Sequence, residues 1–482
     1  MSAEVSAPPQ MLNVQIDGVW LQFPKGTRVI EACSQAEKFI PRYCYHPKLS
    51  SPGNCRMCLI EMGMPKMGAD RKPELGADGK PVINWIPRPQ ISCAQDVAEG
   101  MAIRTDSPLV QDCRKGVMEF LLINHPLDCP ICDQAGECRL QEFSVEYGTG
   151  GSRFLEHKVK KPKNVQIGPR VTLDAERCVL CSRCIRFMQE VAHDDVLGFV
   201  DRGSYSTIAV HPGKKLESNY SLNTVDICPV GALTNTDFRF KMRVWFLKET
   251  KSFCTSCATG CNTVIGSREN VVYRQTPREN NDVNSVWMCD YGRLNFHYLN
   301  SPERLLAPMI KGGAEVTSWS QAFAQSAAEL RKFKPEQIAI IASGRMTNEE
   351  MWLTKKLAGS LGTTLIDIVP HLAEADDILL SADRNPNTNG ARLLGLQTGK
   401  LGAIAEGVKS GTIKALIALH EDVVAAGLAD TVFDLECLIA LSILPTATTK
   451  LATVLLPASG FAEKRGSMIN DQGRLQRLNR AV

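Results

Sequence analysis

Eighteen cysteines place the strongest constraint on how this 482-residue chain can fold. Many of them stand only two or three residues apart, as Cys55 and Cys58 do. A disulfide scaffold is typical of short secreted chains, and this chain is long. Its first ten residues have neither the basic nor the apolar segment of a secretory signal, and they lack the arginines of a transit peptide. Closely spaced thiols in a reducing compartment therefore indicate metal ligands.

The charge balance excludes some classes of partner. The chain has 55 basic and 52 acidic residues, a net charge of +3, which gives no argument for binding nucleic acid or an acidic membrane surface. No run of about 18 apolar residues occurs, so we expect no membrane span. The length predicts about three or four domains.

The first set of ligands is Cys44, Cys55, Cys58 and Cys93, separated by ten, two and 34 residues. One long loop supplies three thiolates and a distant segment supplies the fourth, a pattern that suits a [2Fe–2S] cluster. A zinc site would use the same four thiolates. Zinc sites usually pair two close Cys-x2-Cys units, however, and this set has one.

The second set is His125, Cys129, Cys132 and Cys138, in NHPLDCPICDQAGECRLQ. Three closely spaced thiolates suit three corners of a [4Fe–4S] cluster, and the imidazole can supply the fourth ligand. A histidine ligand removes one negative charge from the set and should raise the reduction potential, as it does in Rieske centres. An isolated histidine before a proline is more often structural. Its position before Cys-x2-Cys favours the ligand interpretation.

The third set is Cys178, Cys181, Cys184 and Cys228, the last followed by Pro229. Cys-x2-Cys-x2-Cys with a remote Cys-Pro is the bacterial ferredoxin pattern. No second run of cysteines precedes Cys228, so this segment is predicted to hold one [4Fe–4S] cluster.

The fourth set is Cys254, Cys257, Cys261 and Cys289. Three ligands within eight residues and a fourth on a return segment fit another [4Fe–4S] cluster, and zinc remains the alternative.

Three cysteines are left over, each in an apolar context where a free thiol behaves as a small hydrophobic group. They are Cys33, Cys113 and Cys437.

The segments between the ligands predict a mixed fold. Residues 11–32 read as a hairpin followed by a helix, and residues 107–123 have helical periodicity. Residues 63–90 are predicted to be a surface insertion, and the basic stretch 153–163 a solvated linker rather than a docking surface. After about residue 304, apolar strands alternate with helical segments, which predicts α/β layers around a largely parallel sheet.

Five segments resemble the large iron–sulfur subunit of respiratory complex I. They are SSPGNCRMCLIE, NHPLDCPICDQAGECRLQE, RCVLCSRCIRF, DICPVGALT and CTSCATGCN. The resemblance covers residues 11 to about 305 closely. It implies one [2Fe–2S] cluster on the first set and three [4Fe–4S] clusters on the others. The fourth set matches a cluster of some bacterial members that lies off the main electron route, which favours a bacterial source over a mitochondrial one.

The resemblance also implies an α+β multidomain fold. The expected domains are a [2Fe–2S] ferredoxin-like β-grasp at 9–108, a small helical His(Cys)3-ligated [4Fe–4S] domain at 109–150, a ferredoxin-like [4Fe–4S] domain at 151–246, a molybdenum-enzyme-type [4Fe–4S] domain at 247–303 and an α/β molybdopterin-oxidoreductase-like domain at 304–482. In the last domain we expect no cofactor, because no cysteine lies between Cys289 and Cys437 to serve as a metal ligand. Most family members continue further, so this domain is expected to be reduced or cut short.

The implied function is electron transfer without a catalytic site of the chain's own. The chain should take electrons from a flavin-bearing, NADH-oxidising subunit and pass them toward the quinone-side iron–sulfur subunits. It should do so as a peripheral subunit on the cytoplasmic face of a bacterial inner membrane. No dinucleotide-binding or Walker motif indicates that it binds NADH itself.

Three alternatives remain open. The first is the α-subunit of a molybdenum- or tungsten-dependent formate dehydrogenase, which shares the same cluster domains. The second is an iron-only hydrogenase or the diaphorase arm of an NAD-reducing hydrogenase. The third is a structural protein without clusters, which would be colourless and free of iron.

Overall fold

A computed structural model describes residues 9–69, 72–77, 79–310, 315–428 and 435–482. The N-terminal segment 1–8, residues 70, 71 and 78 of the insertion and parts of the last expected domain lie outside the described residues. Residue contacts divide the chain into two compact units, Met1–Val244 and Trp245–Val482. Each unit is described by itself.

The first unit begins with a mixed sheet. Its strands and helix are β1 (Met11–Ile16), β2 (Val19–Pro24), α1 (Val29–Gln35), β3 (Leu59–Pro65), β4 (Ile83–Trp85), β5 (Gln90–Ile91) and β6 (Ala102–Arg104). The strand order is β2-β1-β6-β3-β4, with β5 paired to β3. Strand β1 is antiparallel to β2 and parallel to β6.

The hairpin predicted in residues 11–32 is confirmed. Strand β1 alternates buried and exposed residues because one face packs on the core, where Leu12, Val14 and Ile16 are buried. Asp17 and Gly18 form the connecting turn, both with positive φ. The insertion is partly ordered into the sheet, because β3 continues to Pro65 and pairs with β4.

The rest of the first unit consists of short elements between loops. They are α2 (Pro108–Ile123), α3 (Arg139–Tyr147), β7 (Val165–Gln166), β8 (Val171–Leu173), α4 (Arg183–Glu190), β9 (Leu197–Val200), β10 (Thr207–Val210), α5 (Asn223–Asp226) and β11 (Leu233–Asn235). Helix α2 matches the predicted span, and the Ser107 side chain accepts a hydrogen bond from the Val110 amide at its start.

The basic stretch 153–163 is largely exposed, as predicted, yet several of its side chains are bound within the chain. Lys158 donates to the carbonyls of Leu122 and Ile123 at 2.9 and 2.6 Å. Lys163 lies 2.5 Å from a carboxylate oxygen of Asp128. The prediction of a solvated linker is therefore wrong for these lysines, since main-chain carbonyls and carboxylates 13 to 36 residues away bind them.

The second unit starts with an antiparallel sheet and continues into α/β layers. Its elements are β12 (Lys248–Phe253), β13 (Asn262–Arg268), β14 (Val271–Pro277), α6 (Asp290–Leu294), β15 (Met309–Ile310), β16 (Glu315–Val316), α7 (Trp319–Leu330), β17 (Ile338–Ser343), α8 (Asn348–Leu361), β18 (Ile366–Val369), α9 (Thr388–Leu394), α10 (Leu401–Lys409), β19 (Ala415–Leu419), β20 (Cys437–Ser442), α11 (Ala447–Leu451), β21 (Val454–Pro457), β22 (Gly466–Ile469) and β23 (Leu475–Leu478).

A seven-stranded sheet organises this unit, in the order β16-β15-β21-β20-β19-β17-β18. The five strands from β21 to β18 are parallel, and β15 and β16 form an antiparallel edge. Every residue of β17 is buried, as expected for a parallel strand covered on both faces. The predicted α/β layers are confirmed.

Candidate metal centres

The first set lies where the sheet of the first unit meets its long loop. Cys58 immediately precedes β3 and Cys93 follows β5, and these strands pair, so the two thiols are brought together. Hydrogen bonds link Cys55 to Cys44, Cys93 to Cys44 and Cys58 to Cys93. The bond with Cys93 lowers the pKa of Cys58, whereas the bond with Cys44, together with burial, raises the pKa of Cys55. The structure therefore brings all four residues together.

The second set follows α2. Cys129 is exposed, Cys132 and Cys138 are buried, and the three thiols interact electrostatically. Burial, together with the charges of Arg177 and Lys158, lowers the pKa of His125 to about 4. The imidazole is therefore neutral at physiological pH, the form that binds a metal. The Arg177 guanidinium interacts with both His125 and Cys132, which places the histidine and that thiol beside one side chain.

In the third set Cys181 and Cys184 are buried, and Cys178 and Cys228 are partly buried. Its cysteines lie in the loop before α4, in the first turn of α4 and after α5, and Cys184 interacts electrostatically with the other three. Burial raises the pKa of Cys178 and Cys228 to about 11 and that of Cys181 to about 12. The Leu180 amide donates to the Cys178 Sγ at 3.4 Å.

The fourth set lies in the second unit. Cys254 follows β12 and Cys261 precedes β13, and the Cys254 amide donates to the Cys261 carbonyl at 2.7 Å. Cys289 caps α6 and accepts a hydrogen bond from the Gly292 amide at 3.3 Å. Cys261 interacts electrostatically with Cys254, Cys257 and Cys289. All four thiols are buried.

The donor sets fit iron–sulfur clusters in their chemistry. All eighteen cysteines are free, so fifteen remain available to the four predicted sets. Backbone amides donate to sulfur in every set, the kind of contact that stabilises thiolate ligands. Buried thiols with raised pKa values are costly to ionise unless a cationic group is bound, so a metal group would complete each site. Among the described residues, no group of three His, Cys, Asp or Glu side chains has the arrangement of a site for one metal ion.

Two glycines approach the sulfur atoms closely, and the sequence analysis missed both. A Cβ on Gly231 would lie 2.3 Å from the Cys132 Sγ. A Cβ on Gly292 would lie 2.8 Å from the Cys254 Sγ and 3.3 Å from the Cys289 Sγ. A side chain at either position would displace the sulfur atom of a predicted ligand. The available signal was their spacing, three residues after a cysteine in each case.

Two arginines of α4 were also missed. Arg183 donates to the carbonyls of Ile227 and Tyr45 at 3.0 and 2.6 Å, and each carbonyl is adjacent to a predicted ligand. Arg186 donates to the Cys44 carbonyl at 2.6 Å. Helix α4 therefore ties the loop of the first set to the loops of the third.

The leftover cysteines are not drawn into the sets. Cys33 and Cys437 are buried, and burial raises their pKa values to about 12 and about 11. Cys113 is partly buried on α2, and burial raises its pKa as well. Thiols held protonated in this way behave as small apolar groups, as predicted.

A cavity of about 780 Å³ opens at the carboxyl ends of the parallel strands in the second unit. His371 and Glu421 line it and are joined at 2.9 Å. Burial, together with Lys464 and Arg345, lowers the pKa of His420 to about 4. Crevices at this edge of open α/β sheets commonly bind ligands.

Five families match consecutive parts of the chain. They are a 2Fe-2S iron-sulfur cluster binding domain at 9–108, the NADH-ubiquinone oxidoreductase-G iron-sulfur binding region at 114–153, the ferredoxin-like domain of NADH-quinone oxidoreductase subunit 3 at 168–234, the NADH-ubiquinone oxidoreductase NDSU1/NuoG-like 4Fe-4S domain at 247–297 and molybdopterin oxidoreductase at 382–482. The chain thus combines ferredoxin-like, 4Fe-4S and molybdopterin-oxidoreductase domains, the predicted fold class.

Curated relatives match over most of the chain. The G subunit of the Rickettsia felis NADH-quinone oxidoreductase is 41% identical over 355 residues, 73% of this chain and 50% of the relative. The mitochondrial NADH dehydrogenase [ubiquinone] iron-sulfur protein 1 of Solanum tuberosum is 41% identical over 74% of this chain and 46% of its own length. The G subunit of the Mycobacterium tuberculosis NADH-quinone oxidoreductase is 38% identical over 77% and 45%. The chain spans about half the length of these relatives.

A solved structure of an NAD+-reducing [NiFe]-hydrogenase covers 48% of this chain and 91% of its own, at 24% identity and a TM-score of 0.40. A similarity this low carries no argument. The relatives and the cluster-domain families agree with each other and with the order of the four sets. The chain belongs to the family of NADH-quinone oxidoreductase G subunits.

Proposed function

We propose that this chain carries electrons singly within an NADH:quinone oxidoreductase, from the flavin-bearing NADH-oxidising subunit toward the quinone-side iron–sulfur subunits. Proton translocation is then a property of the whole complex. The observation that carries this proposal is one apolar core in the first unit. It contains Cys44 of the first set, Cys138 of the second and Cys181 of the third. Three ligand sets joined by one dry core suit electron transfer between them.

The proposed cofactors are one [2Fe–2S] cluster on the first set and one [4Fe–4S] cluster on each of the other three. The proposed ligands are Cys44, Cys55, Cys58 and Cys93 in the first set, His125, Cys129, Cys132 and Cys138 in the second, Cys178, Cys181, Cys184 and Cys228 in the third, and Cys254, Cys257, Cys261 and Cys289 in the fourth. Bound clusters of these types supply one-electron chemistry.

The protein side of this function is ligation, hydrogen bonding to sulfur and exclusion of water. Tyr43, Met57 and Met118 are fully buried in the core that contains the three ligand cysteines, and they keep water from it. The low pKa of His125, caused by burial and nearby cations, keeps its imidazole free to bind metal. These features support an electron-transfer protein rather than a site for acid–base chemistry.

The domain that follows the fourth set is proposed to act as a scaffold without a pterin cofactor. The proposed location is peripheral, on the cytoplasmic face of a bacterial inner membrane. Among the described residues, no helix has the length and apolarity to cross a bilayer. The proposed partners are the other subunits of the complex, with no nucleic acid.

Counting iron and acid-labile sulfide in the purified chain, with EPR of the reduced protein, tests the proposal. One binuclear and three tetranuclear centres should give about fourteen irons per chain. The variant C254A should lose about four of them and leave electron flow from NADH to quinone intact, because the fourth set is proposed to lie off the main route. The control C437A, at a buried thiol outside the sets, should retain them all.

Other metals would contradict the proposal in distinct ways. Stoichiometric molybdenum or tungsten would indicate a formate dehydrogenase α-subunit, and stoichiometric zinc would remove a set from the electron route. About ten irons would leave one set without its cluster. Loss of electron flow in an assembled C254A complex would place the fourth set on the route.

A further inference from the structure

Arg177 is a buried cation, and one nitrogen of its guanidinium group has no hydrogen-bond partner among the described residues. Its side chain is 3% exposed. The Nε and Nη2 atoms donate to the Asp128 Oδ2 at 3.0 and 2.8 Å, and Nε lies 3.3 Å from the Asp174 Oδ2. The Nη1 atom is buried and has no hydrogen-bond partner among the described residues. A charged donor without a partner in this environment is costly, which indicates that something absent from the chain receives it.

The surroundings of this guanidinium point to the second set. Besides its two carboxylate partners, it interacts electrostatically with Cys132. Among charged groups, Arg177 also has the largest influence on His125. A Cβ placed on Gly231 would lie 2.3 Å from the Cys132 Sγ and 3.7 Å from the Arg177 Cδ, so the arginine stem and this sulfur flank the same glycine.

The two carboxylates that hold Arg177, Asp128 and Asp174, also contact one lysine, Lys163. Lys163 lies 2.5 Å from Asp128, 3.3 Å from Asp174 and 3.0 Å from Glu176. Lys160 lies 3.8 Å from Glu176. Three carboxylates and three cations, Arg177 among them, form a network of balanced charge that fixes the guanidinium in place.

We propose that Arg177 is a positioning and tuning residue for the second set, whose Nη1 donates a hydrogen bond to a sulfur atom of the four-iron group held there and makes that group easier to reduce. Reduction adds one negative charge, and a fixed positive charge and a hydrogen bond to sulfur both stabilise the reduced form. The inference rests on the proposed function, because it requires a cluster on this set. It adds a residue outside the ligand set that influences the reduction potential of this group.

The test uses the full chain with its clusters in place and measures the midpoint potential of the second set by EPR-monitored redox titration. Nitrogen hyperfine coupling from His125 identifies the signal. R177Q should make reduction about tenfold less favourable, which is a downward shift of about 59 mV for a one-electron couple. R177K, which keeps the charge but loses the planar donor, should shift it by less.

The matched control is R153Q, which removes an arginine of the same unit that is 84% exposed and bound to Glu119. It should leave the potential unchanged. In R177Q the midpoint potential of the third set, measured from its own EPR signal, should shift by less than that of the second set.

The outcomes separate the two proposals. If the wild-type chain gives no nitrogen-coupled four-iron signal, the proposed function fails at this set before any variant is made. If the signal is present and R177Q leaves its potential unchanged, the tuning role of Arg177 is overturned. If R177Q and R177K both lose the irons of this set, Arg177 is required for assembly and the tuning role is again overturned.

Discussion

The two units of the chain reach stability by different means. The core that joins three of the proposed ligand sets in the first unit is built from their cysteines together with tyrosine, methionine, leucine, phenylalanine, valine and alanine side chains. The two cores on either side of the seven-stranded sheet in the second unit are made almost wholly of aliphatic residues. The cysteines around the first core lie mostly in loops, whereas β17, β19 and β20 are buried strands of one sheet. The core shared by three proposed ligand sets is thus built around cysteines, whereas the two cores of the second unit are built around its parallel sheet.

This difference has an energetic consequence. Where ligands lie in loops, the free energy of metal binding is also free energy of folding, because the loops have little else to fix them. In the parallel sheet, burial of aliphatic side chains supplies about 25 cal/mol for each Å² removed from water, with no metal required. The first unit should therefore depend on its clusters far more than the sheet does.

The largest expected effect comes from removing the metal. After iron is stripped from the full chain with a chelator and reductant, amides of α4 should lose about 3 kcal/mol or more of protection against hydrogen exchange, because three ligands of the third set no longer fix this helix. Amides of β19, in the middle of the parallel sheet, should change by less than about 1 kcal/mol. Mass spectrometry of peptides from both elements measures this in one sample.

Equal loss of protection in both elements would show that the sheet also depends on metal. Re-addition of iron and sulfide is the control, since protection of α4 should return.

The sheet should instead respond to packing. Ile340 lies in the centre of β17 and is fully buried. I340A should lower the free energy of unfolding of the second unit by about 2–5 kcal/mol, through lost burial and the cavity left behind. It should leave the iron content of the first three sets unchanged. Chemical denaturation followed by hydrogen exchange of β19 measures the first effect, and iron analysis measures the second.

Val316, which is 70% exposed on the edge strand β16, provides the control. V316A should change stability by less than about 0.5 kcal/mol. If I340A also lowers the iron content of the first three sets, the expected difference between the two units is contradicted.

The ligand spacings and the local periodicities could be read from the sequence because both are local signals. The hairpin around Asp17 and Gly18, helix α2 and the strands of the parallel sheet all follow from patterns within about twenty residues. Grouping of the cysteines followed from spacing in the same way.

The contacts that tune the second set could not be read in this way. Arg177 meets Asp128 across 49 residues, and Gly231 meets Cys132 across 99. Such pairs depend on how loops pack, which no local pattern encodes. The same reason explains the lysines of the basic stretch, whose charge pattern resembled that of a solvated linker until the fold supplied partners.

The smallest expected effect is a difference between the units in how their free energy of unfolding depends on pH. His420 follows β19 at the rim of the cavity, and burial, with Lys464 and Arg345 nearby and Glu350 opposing them, lowers its pKa to about 4. The unfolded value is about 6.5, so the unfolded chain takes up a proton first as the pH falls. Stability from this group is present above about pH 6.5 and is lost toward pH 4. Because the side chain is only partly shielded from water, we expect a loss of about 1 kcal/mol at pH 5.

H420N should remove this part of the pH dependence in the second unit, and asparagine suits the positive φ of 59° at this position. Urea denaturation at about pH 5 and about pH 7.5, read from hydrogen exchange of β19, measures the difference. The same substitution at His157, an exposed histidine of the first unit, should leave the wild-type difference in place. If H420N retains the full difference, another group of the cavity is responsible, and the sheet is sensitive to acid for a reason other than a buried neutral imidazole.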